Sequence, residues 1–208
     1  MDSVAFCKYF PLQEGEMRSR FDAMGALYSE WNSKINLISR SDLSHLYERH
    51  ILHSLSIAKF ITFRPGTRIL DVGTGGGFPG IPLAVFFPQC SFVLCDSIGK
   101  KIMVVKDVIS RLGLQNAEAV NNRAENLGGS FDFVVSRATA PLADLHRWAA
   151  NQVSRKQQNA IPNGIICLKG GDLKDEIAPF KNRTEVVALS TYFDEPFFET
   201  KKLVFLTC

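Results

Sequence analysis

Two periodicities divide the chain. From Ser41 the apolar positions Leu43, Leu46, Tyr47, Ile51, Leu55, Ala58 and Ile61 recur at helical spacing, with Ser41 placed to cap the start. Pro65-Gly66 closes that region. Beyond it, short apolar runs alternate with helical patterns. Arg68–Val72, Ser91–Cys95, Ala117–Val120, Phe131–Val135 and Ile165–Leu168 read as strands. A helix is expected from near Pro79, and an amphipathic one from about Gly99 to Leu112, closed by Gly113. Glu185–Leu189 and Leu203–Leu206 flank a polar, turn-rich segment and are expected to pair antiparallel. Such alternation predicts a mostly parallel sheet covered on both faces, with an antiparallel last strand. The expected organisation is a helical N-terminal extension over residues 1–62 and an α/β domain over residues 63–208.

Between the first strand and its helix the chain reads LDVGTGGGFPGIP, from Leu70 to Pro82. Three nucleotide-binding loops are written in similar letters. A Walker loop fails, because Ile81 stands where the phosphate-binding lysine is required. A dinucleotide fingerprint is satisfied by Gly75, Gly77 and Gly80, yet two neighbours oppose it. Asp71 puts a carboxylate beside the site of a pyrophosphate, and Pro79 removes a backbone donor from the helix start. The third reading is D-x-G-x-G-x-G: Asp71, Gly73, Gly75 and Gly77, the cofactor loop of S-adenosylmethionine-dependent methyltransferases. Its ligand carries an ammonium, which the Asp71 carboxylate favours, and has no phosphate to cradle. Asp96 then ends the second strand, where an acidic side chain accepts both ribose hydroxyls. Asp71 before the loop, Pro79 within it and Asp96 after it favour the methyl donor.

Composition narrows the rest. The 208 residues carry 24 Lys and Arg against 21 Asp and Glu, spread evenly, so a nucleic-acid partner must meet a folded patch rather than a basic arm. Five cysteines without a C-x-x-C pair suggest neither a disulfide framework nor a zinc site, and no metal is expected. The start lacks a secretory pattern, and the longest apolar stretch is broken by Pro82, Pro88 and Gln89. A cytoplasmic monomer with no membrane contact is expected.

The acceptor is read by elimination. Exocyclic-amine methyltransferases place a Pro-Pro-aromatic motif after the fourth strand, where this chain has Ser136-Arg137-Ala138-Thr139. Carbon-5 chemistry needs a nucleophilic cysteine, and Cys167 sits between Ile166 and Leu168 as a core thiol. Metal-assisted transfer would need clustered carboxylates, but only Asp144 is near. What remains is an acceptor already nucleophilic at neutral pH, for which N7 of guanine fits. Arg137 is the candidate for orienting it or stabilising charge on the purine, with no dedicated base. Arg137 and Lys169 both fall at strand ends on the cofactor side.

The runs WNSKINLIS, ERHILHSL, ILDVGTGGGFPGIPLA, LCDSIGKK, NRAE, VVSRA and LKGG, in this order, resemble the small-subunit ribosomal RNA methyltransferase G family, also called glucose-inhibited division protein B. The resemblance covers nearly the whole chain. It implies a Rossmann-like class I methyltransferase domain behind a small helical extension, with S-adenosyl-L-methionine as cofactor. It also implies N7 methylation of one guanosine in the 530 loop of 16S ribosomal RNA, free or in the small ribosomal subunit. The cofactor pocket it implies includes Gly73, Phe78, Asp96, Ala124, Glu125 and Arg137, beside Asp71 and Gly75 from the loop reading. Lys100, Lys101, Arg123 and Lys169 are the expected RNA-facing cations. His53 stands where many members carry an acidic residue, and is read as a partly exposed helix histidine.

Overall fold

The computed structural model describes residues 6–11, 15–35, 37–137 and 140–208. Ala138 and Thr139, part of the stretch weighed against the Pro-Pro motif, lie outside the described residues, as does Asn36 of the N-terminal run.

Before the sheet lie the α-helices α1 (Glu16–Lys34), the short α2 (Arg40–Leu43) and α3 (His53–Phe60). The continuous helix expected from Ser41 is not formed. Ser39, not Ser41, caps α2 by accepting the Asp42 amide at 3.1 Å. Leu46–Leu52 then runs as a π-helical stretch into α3, where the His53 amide reaches back five residues to the Glu48 carbonyl. The wider turn keeps Leu46, Ile51 and Leu52 buried while re-aiming the residues between them.

Seven strands follow: β1 (Arg68–Val72), β2 (Ser91–Asp96), β3 (Ala117–Asn121), β4 (Phe133–Arg137), β5 (Gly164–Gly170), β6 (Thr184–Ala188) and β7 (Lys201–Thr207). They form one sheet in the order β3-β2-β1-β4-β5-β7-β6. The first five pair in parallel; β7 is antiparallel to both its neighbours, β5 and β6. The last strand is thus antiparallel, as the turn-rich segment before it predicted. Between strands lie α4 (Gly80–Phe86), α5 (Gly99–Arg111), α6 (Leu142–Ala149) and the short α7 (Lys174–Ile177).

Because successive strand residues point to opposite faces, the two cores divide by parity. Ile69, Phe133, Val135, Ile166, Leu168, Leu203 and Phe205 join the cluster containing Phe21 and Met24 of α1 and Leu55 of α3. Leu70, Val134, Ile165, Cys167, Val204 and Leu206 join the cluster with Leu142 and Leu145 of α6. The N-terminal helices therefore share one hydrophobic core with the sheet. On the same parity Arg137 faces the N-terminal helices, and Lys169 faces α6. That one alternation decides what each can touch.

Candidate active site

At the C-terminal end of β1 the chain turns into the glycine loop and then α4. The Gly73 and Thr74 amides donate to the Cys95 carbonyl at 2.9 and 3.0 Å, lacing the loop to the end of β2. Gly77 sits at φ 97°, where a Cβ would strike the Ile81 side chain and stand 3.2 Å from the Tyr28 hydroxyl. Loop and helix thus approach too closely for any side chain there. The Tyr28 hydroxyl donates to the Gly76 carbonyl at 2.8 Å, so α1 pins the loop from outside.

Asp96 is buried and closes the opposite side. Its Oδ2 accepts the Gly75 amide at 3.0 Å and its Oδ1 the Ile98 amide at 2.9 Å. A carboxylate oxygen takes two hydrogen bonds, so each keeps one acceptor position while the side chain stays rigidly aimed. Loop and carboxylate border a cavity of about 480 Å³, also reached by Phe78, Ala124, Glu125, Arg137 and Trp148. That size lies within the usual range for small-molecule sites, roughly 300–1,000 Å³. Ala124 and Glu125 come from the short turn Ala124–Asn126 after β3.

Asp71 departs from the expectation. Its side chain is fully buried on the N-terminal-helix face and does not border the cavity. Oδ2 accepts the Thr74 hydroxyl at 2.6 Å and the Gly80 amide at 2.9 Å, so the carboxylate ties the loop to the start of α4 instead of meeting a ligand ammonium. Its Oδ1 has no partner among the described residues, and burial pushes the carboxyl up to about 7.

Arg137 ends β4 on the far wall. Its guanidinium donates to the Arg49 carbonyl at 3.2 Å, meets His50 Nδ1 at 2.9 Å and lies 4.9 Å from the centre of the Phe78 ring. Arginine only donates, so His50 Nδ1 accepts and the imidazole carries its proton on Nε2. Burial first, then the Arg137 charge, hold His50 down at about 3; it stays neutral across the physiological range. Burial also lowers Arg137 to about 10, which leaves it charged at neutral pH. Phe78 packs against Tyr28 and His50 at 4.8 and 5.1 Å between ring centres, so it both borders the cavity and anchors the loop to the N-terminal helices.

The cations expected to face RNA separate into two groups. Lys101 and Arg123 border the cavity and Lys100 is exposed beside Lys101 at the start of α5, so these three share one rim. Lys169 is the exception: its ammonium is 2.6 Å from Glu176 and 2.6 Å from the Ala140 carbonyl, with the side chain only 9% exposed. It is consumed inside the protein, on the other face of the sheet. His53 is likewise buried rather than partly exposed, with Phe197 and Phe198 set edge-on to its ring. Cys167 is the core thiol expected, pushed up to about 12 by burial.

Sequence reasoning missed His50, Tyr28 and Thr74. The run ERHILHSL held two histidines three apart, but only the π-helical turn decides which meets Arg137. Tyr28 carries no local signal, since its partner Gly76 is 48 positions away. Among the described residues, no group of three or more His, Cys, Asp or Glu is placed to hold a metal ion.

A family model described as rRNA small subunit methyltransferase G matches residues 19–202. The chain is 57% identical over 198 residues to Ribosomal RNA small subunit methyltransferase G of Bacteroides thetaiotaomicron, covering 95% of this chain and 96% of that one. The Porphyromonas gingivalis protein of the same name is 52% identical over 200 residues, 96% and 90% of the two chains. Among solved structures, a mutant of MtNAS superposes with a TM-score of 0.60 over 93% of this chain and 75% of that one, at 17% identity. That likeness concerns the fold alone. With the glycine loop, Asp96 and Arg137 brought to one cavity and the match running almost end to end, the chain belongs to the rRNA small subunit methyltransferase G family.

Proposed function

We propose that this protein transfers the methyl group of S-adenosylmethionine to N7 of a guanosine in the 530 loop of 16S ribosomal RNA. The observation that carries this reading is one cavity joining the glycine loop, Asp96 and Arg137 in a member of that family. The site fits the cofactor: Gly73, Gly75 and Gly76 bring bare backbone to the loop wall, and Asp96 keeps acceptor positions suited to two ribose hydroxyls. Asp96, Gly73, Gly75, Ala124 and Glu125 would hold it, with Phe78 along its side. Bound there, S-adenosylmethionine supplies an electrophilic methyl group on a sulfonium.

The chain's own part is alignment. Guanine N7 carries a lone pair and no proton, so the reaction needs no base. His50, held near pKa 3, is too weak a base to serve as one, and its role is to fix Arg137. Arg137, steered by Arg49, His50 and Phe78, is aimed to donate to an acceptor oxygen of the guanine and so orient N7 toward the methyl group. Lys100, Lys101 and Arg123 give the rim a positive edge toward the RNA backbone.

The reading extends to residues 1–62 as a helical extension on a methyltransferase domain of residues 63–208, and to a monomer working in the cytoplasm. Among the described residues no helix is long and apolar enough to cross a membrane. The test is transfer of label from S-adenosylmethionine to 16S RNA and to 30S subunits from a strain lacking the endogenous enzyme. Label at N7 of one 530-loop guanosine is expected; no label there in any assembly state of the substrate refutes the reading.

A further inference from the structure

Lys169 ends in a three-way junction that the binding site itself does not use. Its ammonium donates to the Ala140 carbonyl at 2.6 Å and pairs with Glu176 Oε1 at 2.6 Å. The same Oε1 accepts the Leu142 amide at 2.6 Å. Leu142 is the first residue of α6, so Glu176, from α7, satisfies one of the orphan amides at that helix start. One ion pair therefore grips the connection between β4 and α6 at two points, a carbonyl before the helix and an amide at its beginning.

The connection matters because of where it starts. Arg137 pairs in register with Leu168, so Lys169 lies one step beyond the row of the active-site arginine. Ala140, which Lys169 holds, is three residues after Arg137. Parity sends Arg137 to one face and Lys169 to the other, so the two cations never compete for a ligand. We propose that Lys169 and Glu176 are positioning residues: from behind the sheet they clamp the β4–α6 connection, and so fix the backbone from which Arg137 addresses the acceptor base. The proposal rests on the methyltransferase reading for its catalytic consequence, and on the contacts alone for the clamp.

A buried lysine that contacted RNA and one that holds a loop predict different numbers. Compare Lys169→Met, Lys169→Arg and Glu176→Gln with wild type, measuring kcat, KM for 16S RNA, the salt dependence of RNA binding and S-adenosylhomocysteine affinity. The clamp predicts a kcat loss of about 10²-fold for Lys169→Met, the scale of a 1 Å misplacement, with KM changed less than about threefold. Lys169→Arg should recover most of the rate, because a guanidinium also reaches a carboxylate and a carbonyl. Glu176→Gln should fall in the same direction, and the double variant should be no slower than the worse single one. The salt slope should stay at the wild-type value.

The opposite pattern overturns the clamp: kcat unchanged, KM raised, a salt slope smaller by about 0.7 to 0.9 as for one lost phosphate contact, and Glu176→Gln behaving as wild type. Unchanged S-adenosylhomocysteine affinity certifies that each variant is folded. Hydrogen exchange at the Leu142 amide reads the clamp without substrate. Faster exchange in Glu176→Gln and Lys169→Met is expected, and unaltered protection refutes the proposal even if wild type methylates no RNA. That last result would refute the methyltransferase reading instead.

Discussion

The two walls of the cavity are built by different means. The cofactor wall is backbone: amides of Gly73, Thr74 and Gly75 tied to the end of β2, and glycines whose missing side chains leave room. Its ties to β2 are near in sequence, the longest spanning the 22 residues from Gly73 to Cys95. The opposite wall is side chain: Arg137 reaches residues 87 and 88 positions away, and Phe78 stacks between α1 and the π-helical turn. A wall of backbone tolerates changes in its neighbours, but at Gly77 it has no room for an added atom. A wall of side chains tolerates added atoms at its edge but depends on every distant element being in place.

Substitutions at the two key polar groups test that division most sharply. Asp96→Ala removes the acceptors for the ribose and frees the Gly75 and Ile98 amides. S-adenosylhomocysteine affinity should fall about 10³-fold by calorimetry, while RNA affinity at fixed salt hardly moves. A loss of RNA binding instead would mean the walls are not separable. Arg137→Ala should give the mirror image: kcat lower by about 10²-fold in single-turnover methylation, with cofactor affinity kept within about tenfold. Arg137→Lys should not restore the rate, since an ammonium lacks the planar fork that meets His50 and the Arg49 carbonyl together.

Smaller effects refine the picture of the backbone wall. At Gly80 a Cβ would stand 2.7 Å from both Asp71 Oδ2 and Leu94 Cγ, so Gly80→Ala should lower unfolding free energy by about 3 kcal/mol. At Gly75 the nearest atom would be the Gly73 carbonyl oxygen at 3.9 Å; only the left-handed φ of 58° is penalised, by about 1 kcal/mol. Equal losses in denaturant titration would show that the loop is not packed as described.

A pH-dependent effect concerns Asp71. Its carboxyl is raised to about 7 in the folded chain against an ordinary 3.8, so between these values the native state holds a proton that the unfolded state has released. Stability from this group is therefore full below pH 4 and declines as pH rises toward 7. Asp71→Asn removes the ionisation. The melting temperature of wild type minus that of the variant should shrink from pH 4 to pH 7, and a constant difference would break the assignment.

How much was legible follows the same division. The strands, the loop and Asp96 could be read because period-2 alternation, glycines and a carboxylate at a strand end act over a few residues. Asp71 was read as a ligand group, but Thr74 and Gly80 of the folded loop close over its carboxylate. Lys169 was read toward the RNA, but parity sends it to the α6 face. Its charge was visible, but not the Glu176 carboxylate that the β5–α7 turn brings back to it. The helix from Ser41 was drawn whole because apolar spacing of three and four does not distinguish an α-helical turn from a π-helical one.

By itself, then, the sequence determined the local physics: which runs extend, where the backbone must turn without side chains, and which charges stand at the strand ends. Tertiary structure alone decided what each strand-end charge meets. Arg137 borders the cavity, held there by the π-helical turn that packs on its side of the sheet. Lys169, one register step away, points at α6. The physical reason is that a side chain's direction is set locally, but what waits there is set by chain folded back from 29 to 87 residues distant.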